Sequence, residues 1–255
     1  MQPTCVILQS SYLPWRGYFD LIKQADTFVF LDSVQFTRRD WRTRNTIRSA
    51  KGGISLSVPV HAPNHRSLKI SDVTIASSSN WKRKHLQSIA QAYARAPFRE
   101  EVMETLSASF SEDTGRLSVL NRRLISTCWN LLSGGKPKVF LGDEAFALGA
   151  SAFKMDRIIS ICEQVGAKRY LSGPTGKCYL DPSAFRRAGI ELAYIDYSYA
   201  PYFQVHGGFD PFVSIIDVLM NLGPGSLSAA VRKAPLGLGR ARRLSSEVMV
   251  DRELL

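Results

Sequence analysis

The opening of the chain constrains its fold more than any other stretch. Cys5-Val6-Ile7-Leu8 reads as a strand, and Gly17 to Ala25 reads as a helix with Phe19, Leu21, Ile22 and Ala25 on one face. Thr27-Phe28-Val29-Phe30-Leu31 is a continuous apolar, β-prone run, as expected of a strand covered on both faces. Strand, helix, strand at this spacing is a βαβ unit, so the two strands are predicted to be parallel neighbours in one central sheet. A ligand of such a unit sits at the carboxyl ends of its strands. Here those ends carry Gln9 to Trp15 and Asp32 to Phe36.

The remaining pattern continues the α/β theme. Ile54 to Val60 alternates as a strand does, and Val139-Phe140-Leu141, Arg169-Tyr170-Leu171 and Ile190 to Asp196 are further short strands. Asn80 to about Phe110, broken near Pro97, and Leu117 to Leu132 read as helices, as do Met155 to Val165 and Ser214 to Leu222. The expected architecture is a single α/β domain over residues 1–230, with a mainly parallel sheet and a helical insertion at about 80–132. A basic tail over 231–255, with Pro235, Gly237 and Gly239, is expected to be flexible or wrapped on a partner.

Charge narrows the partners. Against 22 acidic residues stand 33 Lys and Arg, a net charge of +11, which favours anionic ligands: nucleotides, sugar phosphates, acyl carriers or nucleic acid. No run of apolar residues is long enough to span a membrane, and the first residues lack the pattern of a secretory signal, so the expected location is the cytoplasm. The four cysteines form no C-x-x-C pair and the four histidines no zinc spacing, so neither a metal nor another cofactor is expected.

Several stretches carry candidate chemistry. Tyr12 to Tyr18 gathers aromatic rings around Pro14 and Gly17 at a strand-to-helix junction; they either form a stacking wall for a ligand or seal the sheet end. Gln35 to Asn45 sets Arg38, Arg39, Arg42 and Arg44 around Trp41, a pattern suited to phosphate or carboxylate, or else a solvated basic loop. Trp81 and His85 share one helix face, and His85 is a general base at neutral pH or a packed helix histidine; His61, His65 and His206 are weaker candidates. Ser172 to Asp181 follows a strand and contains Gly173, Gly176 and Lys177, able to approach an anion, but no Walker A sequence. Cys178 lies there as a thiol with no activating neighbour in sequence. Asp181, Asp210 and Asp217 are carboxylates of interest, Asp217 because its apolar run buries it.

These blocks resemble the WbqC-like protein family. The likeness runs through Ile7-Leu8-Gln9 and Tyr12 to Phe19, Phe30 to Phe36, Trp41 to Asn45, and Trp81 with His85. It continues in Tyr170 to Gly173, Tyr179-Leu180-Asp181, Gln204, Phe209-Asp210-Pro211, Ser214 to Asp217 and Asn221-Leu222-Gly223. Members recur among genes for O-antigen, other surface glycans and some secondary metabolites. The resemblance therefore implies a biosynthetic transferase that moves an acyl or aminoacyl group onto an amine of an amino-sugar or small molecule. Its partners would be an anionic or carrier-bound donor and an amine acceptor. On this reading His85, Asp32 and Asp181 are catalytic, while Gln9, Tyr12, Trp15, Tyr18, Gln35, Trp41, Arg44, Asn45, Ser172, Gly173, Lys177, Tyr179 and Gln204 bind substrate. Two other readings stay open: a nucleotide-binding or nucleotidyl-transferring enzyme built on the βαβ start, and a nucleic-acid-binding protein. The first is weakened because Trp15 and Tyr18 stand where nucleotidylyltransferases place two histidines. The second has charge and arginine–aromatic interleaving in its favour but no motif.

Overall fold

A computed structural model describes residues 2–63, 67–77, 80–148 and 154–234. Strand β1 (Thr4–Leu8), helix α1 (Arg16–Gln24) and strand β2 (Thr27–Phe30) form the expected unit. β1 and β2 are parallel, in register from Cys5 opposite Thr27 to Leu8 opposite Phe30. A hairpin of β3 (Arg44–Ser49) and β4 (Gly52–Ser57) follows, then a short antiparallel pair, β5 (Val60–His61) with β6 (Thr74–Ile75). Three helices come next, α2 (Trp81–Ala92), α3 (Arg99–Ser111) and α4 (Leu117–Ser133). The chain then returns to the sheet with β7 (Val139–Gly142), α5 (Lys154–Gln164), β8 (Arg169–Ser172), α6 (Pro182–Arg187) and β9 (Glu191–Tyr194). Helices α7 (Ile215–Leu222) and α8 (Leu227–Ala230) complete the described structure.

The five central strands lie in the order β7-β2-β1-β8-β9, every neighbouring pair parallel. The chain winds outward from β1 through β2 to β7, then crosses back to β8 on the other side of β1. That reversal makes the gap between β1 and β8 the topological switch point of a doubly wound sheet. Side chains alternate as the pleat demands. Val6, Phe28 and Phe30 enter a core shared with α1 to α4 and α7, while Cys5, Ile7 and Val29 enter a second core with Ile158, Ile161, Cys162 and Phe185 of α5 and α6. Both faces are covered, which is why these strands read as unbroken apolar runs.

Strand β3 departs from the sequence reading, which treats Arg44 and Asn45 as the end of a basic loop. Ile47 is the one large apolar side chain in Arg-Asn-Thr-Ile-Arg-Ser, and the second inward position is taken by buried Asn45. Beyond residue 230 the chain stays packed on the domain as far as Ala234. The Ala200 amide donates to the Arg232 carbonyl (2.8 Å), the Ala234 amide to the Ser198 carbonyl (2.9 Å), and the Lys233 ammonium reaches Asp20 of α1 (2.9 Å). The rest of the expected flexible tail, 235–255, lies outside the described residues, as does His65. Among the described residues no helix is long and apolar enough to cross a membrane.

Candidate functional site at the carboxyl edge of the sheet

The ends of β1, β2, β7 and β8 bring together residues far apart in sequence. Leaving β1, the Ser10 amide donates to Asp32 Oδ1 (2.9 Å), so the first residues after β1 and β2 are tied to each other. Asp32 is fully buried, and its other oxygen accepts from Arg122 Nε of α4 at 2.7 Å. Arg122 then spends its two terminal nitrogens on the exposed carboxylate of Glu144 (2.6 and 3.1 Å), just past β7. Glu144 folds back over Gly142, where any Cβ would run into its carboxylate. Beside this clasp, the Asp143 carboxylate accepts from the amides of Asp32 (3.1 Å) and Ser33 (3.2 Å) and from the Ser33 hydroxyl, and Arg157 of α5 donates to that same hydroxyl (3.0 Å). From a third direction, Arg42 pairs with buried Asp40 (3.0 Å) and donates to the Gln9 side-chain carbonyl.

Burial and charge oppose each other at Asp32. Desolvation raises its pKa above the ordinary carboxylate value, and Arg122 and the Ser10 amide only partly offset this. Glu144 shows the contrary balance: exposed and held by Arg122, it is a stronger acid than usual. The Arg122 guanidinium is thus shared between two carboxylates of unlike proton affinity.

On the far side of the switch point, the aromatic loop after β1 faces the loop after β8. The Trp15 ring meets Tyr197 edge-on with centroids 4.9 Å apart, and a Cβ on Gly173 would come to 3.5 Å from the Tyr197 hydroxyl. Trp15 and Gly173 therefore approach one another through Tyr197. Gly17 is required here because the Trp15 ring lies back over its Cα, leaving no room for a side chain. Tyr18 donates its hydroxyl to the Gln9 carbonyl (3.0 Å) and packs on Phe28.

Other candidate residues sit behind this edge and shape it. Asn45 donates to the Leu13 and Tyr12 carbonyls (2.9 and 3.3 Å), holding the loop in which Leu13 takes a left-handed conformation (φ 44°). Tyr12 is wholly buried, and its hydroxyl bonds His85 Nδ1 at 2.8 Å. Burial lowers the imidazole pKa to about 4, and the backbone of Ser57 offsets this only in part. Buried, bonded to Tyr12 and set between the rings of Tyr12 and Trp81, His85 is a neutral interior group that fixes Tyr12. The Trp41 carbonyl accepts from the Tyr12 amide (2.8 Å), and its buried indole N–H has no partner among the described residues. Ser172 is buried at the end of β8.

Five residues of the expected site lie elsewhere or at the surface. Gln35 is exposed and pairs with Lys69 in an isolated bridge. Asp181 caps α6, accepting from the Ser183 amide (2.8 Å) and hydroxyl (2.7 Å), which accounts for its lowered pKa. Lys177 and Tyr179 are exposed, Lys177 with its ammonium 5.4 Å from the Tyr194 ring centre. Cys178 is exposed as well. Gln204 belongs to a buried polar cluster around Asp217, donating to it at 2.8 Å beside Tyr202 (2.7 Å) and Tyr93 (2.9 Å). Three donors satisfy the carboxylate that the apolar run around it buries.

Over residues 9–229 the chain matches the model of the WbqC-like protein family. The chain belongs to that family. It is also similar to the uncharacterized protein Rv1507c of Mycobacterium tuberculosis, with 36% identity over 219 residues, covering 85% of this chain and 93% of that protein. No solved structure matches.

In this WbqC-like chain the residues that sequence reasoning passes over are Ser33, Arg122, Asp143, Arg157 and Tyr197. One signal for α4 is present in the sequence. Leu117, Leu120, Leu124 and Cys128 mark the buried face, and Asn121 falls on it; its amide donates to the Arg42 carbonyl (2.9 Å). A polar residue on that face announces that α4 packs against polar backbone rather than apolar core, and Arg122 is its neighbour. For Arg157 and Tyr197 no local pattern exists.

Proposed function

We propose that this protein transfers an acyl or aminoacyl group from an activated-carboxyl donor to an amine, with both substrates bound at the carboxyl edge of its sheet. The observation that supports the reading is the convergence of Arg42, Arg122 and Arg157, from three separate segments, on the ends of β1 and β2 beside the switch point. Arginines so placed suit the phosphate or carboxylate of a donor. The reaction class is part of the proposal, taken from what the resemblance of the sequence implies.

On this reading Glu144 holds the place of a substrate anion. A ligand carrying phosphate or carboxylate competes with it for the two terminal nitrogens of Arg122, opens the clasp and uncovers Asp32. The amine nitrogen then attacks the acyl carbon, a C–N bond forms, and the bond from carbon to the leaving group breaks. The amine's proton passes to Asp32, whose raised pKa suits a base better than an ordinary carboxylate does. His85 acts as a positioning residue, through Tyr12 and the loop after β1.

The test is mass-spectrometric detection of acylated product from amino-sugar acceptors offered with acyl-adenylate and acyl-thioester donors. Turnover that falls about 10²-fold or more in Asp32→Asn, with folding retained, supports the assignment. No N-acylated product from any donor class, or full activity in Asp32→Asn, overturns it.

A further inference from the structure

The arginine-rich segment divides in two. Arg42 turns inward to Asp40 and Gln9, whereas Arg38, Arg39 and Arg44 turn the other way, onto a pocket of about 250 Å³. Its floor is apolar and buried, formed by Phe36, Val58 and Ala62. Phe36 ends the segment that follows β2, and the other residues belong to the arginine-rich loop, to the β3–β4 hairpin and to the chain after it. We propose that this pocket is a second binding site, for the diphosphoryl group of a small ligand.

Three observations carry the assignment. The first is unbalanced charge: three guanidinium groups share one small pocket, and among the described residues no carboxylate lies within ion-pair distance of any of them. Arg38 and Arg39 are exposed and Arg44 is half-buried, so solvent screens part of their mutual repulsion, and an anion bound among them would remove the rest by supplying the missing charge. One carboxylate would answer only one of three; a diphosphoryl group answers most of the charge at once.

The second is preorganisation. Arg38 donates to the Ala62 carbonyl, which fixes its guanidinium across the pocket mouth. Arg44 starts β3, whose hairpin register with β4 places it opposite Ser57, another residue of the lining. The third is backbone: Arg39 adopts a left-handed conformation (φ 59°), unfavourable for a long side chain without compensation. Planar, forked donors at these positions match phosphoryl oxygens, and a pocket of about 250 Å³ has room for a diphosphoryl group.

The site stands whether or not acyl transfer is the reaction, because it can be assayed by binding alone. Inorganic pyrophosphate is titrated calorimetrically into the full chain at fixed ionic strength. The comparison is between the parent, the double variant Arg39→Gln/Arg44→Gln, and a charge-matched control, Lys84→Gln/Arg95→Gln, at two exposed positions on and after α2. Saturable binding that weakens about tenfold or more in the first pair and stays within about twofold in the control supports the site. The Arg39 and Arg44 side chains make no hydrogen bond or ion pair to described residues, so the double variant keeps the parent's thermal melt; Arg44→Gln alone is the fallback. Absent binding by the parent, equal weakening in both double variants, or binding of a single-stranded RNA where pyrophosphate fails would each overturn it.

Discussion

At the scale of single residues, His85 shows how a correct motif leads to a different role. The Trp81–His85 spacing does put both rings on one buried helix face, as the sequence indicates. Its hydrogen-bond partner, Tyr12, comes from a distant segment, and no local pattern announces it. The consequence for pH is direct. The imidazole titrates near 6.5 when unfolded and at about 4 when folded. A depressed folded pKa means the stabilisation is complete above the unfolded value and is lost as pH falls toward the folded one. Urea midpoints measured at pH 7 and pH 4.5 should therefore show a loss on the order of 2–3 kcal/mol attributable to this group. In His85→Gln that acid sensitivity should be smaller, on a lower overall stability; an unchanged pH dependence would refute the buried neutral imidazole. Gly17→Ala probes the same loop from its other end. The added methyl meets the Trp15 ring, so a destabilisation of about 1–3 kcal/mol and altered tryptophan fluorescence are expected.

At the scale of elements, the strands and helices that carry apolar periodicity are legible, and those that carry polar contacts are not. β1, β2 and the helices from α2 to α5 can be read within a few residues, because burial selects their side chains. β3 hides because Asn45, satisfied by the Tyr12 and Leu13 carbonyls, stands where an apolar residue would have signalled a strand. The candidate site is legible by half: the loops after β1, β2 and β8 are, whereas the cations that reach them from α4 and α5 are not. The α4 clasp makes its own prediction. Arg122→Gln leaves Asp32 buried without its counter-charge, which should cost about 3 kcal/mol at neutral pH. Adding Asp32→Asn should restore most of that loss, since a neutral amide needs no cation. In the single variant the deficit should also shrink toward pH 4, as Asp32 takes up a proton. A double variant no more stable than Arg122→Gln would mean that the cost arises elsewhere, for instance at Glu144.

At the scale of the molecule, the parallel sheet is visible from the first βαβ unit, but the order of its strands is not. Nothing in the local pattern states that β8, rather than β7, returns to the free side of β1, and that choice creates the switch point. The order predicts a gradient of protection. In native-state hydrogen exchange the amides of β1, bonded on both sides and covered on both faces, should exchange slowest, through global unfolding. Those of β7 and β9 at the edges should exchange sooner. Equal rates across all five strands would show that the sheet opens only as one unit.

The return of the chain's last described residues to α1 has a consequence during synthesis. Arg16 is buried, and it donates to the carbonyls of Ala200 (2.9 Å) and Ala230 (3.3 Å) and faces the rings of Tyr199, Tyr202 and Phe209; besides Gln24 of α1 itself (3.0 Å), Asp20 accepts from the distant Tyr199 and Lys233. A ribosome releases the N-terminal βαβ unit long before any of those partners exist, at elongation rates of about 5–20 residues per second. For roughly ten seconds or more the nascent helix must keep its arginine and aspartate in water, which holds apart the apolar faces on either side of them. The face of α1 that carries Arg16 is therefore expected to be the last part of the N-terminal unit to be buried, once residues 199–233 have followed β8 out of the ribosome.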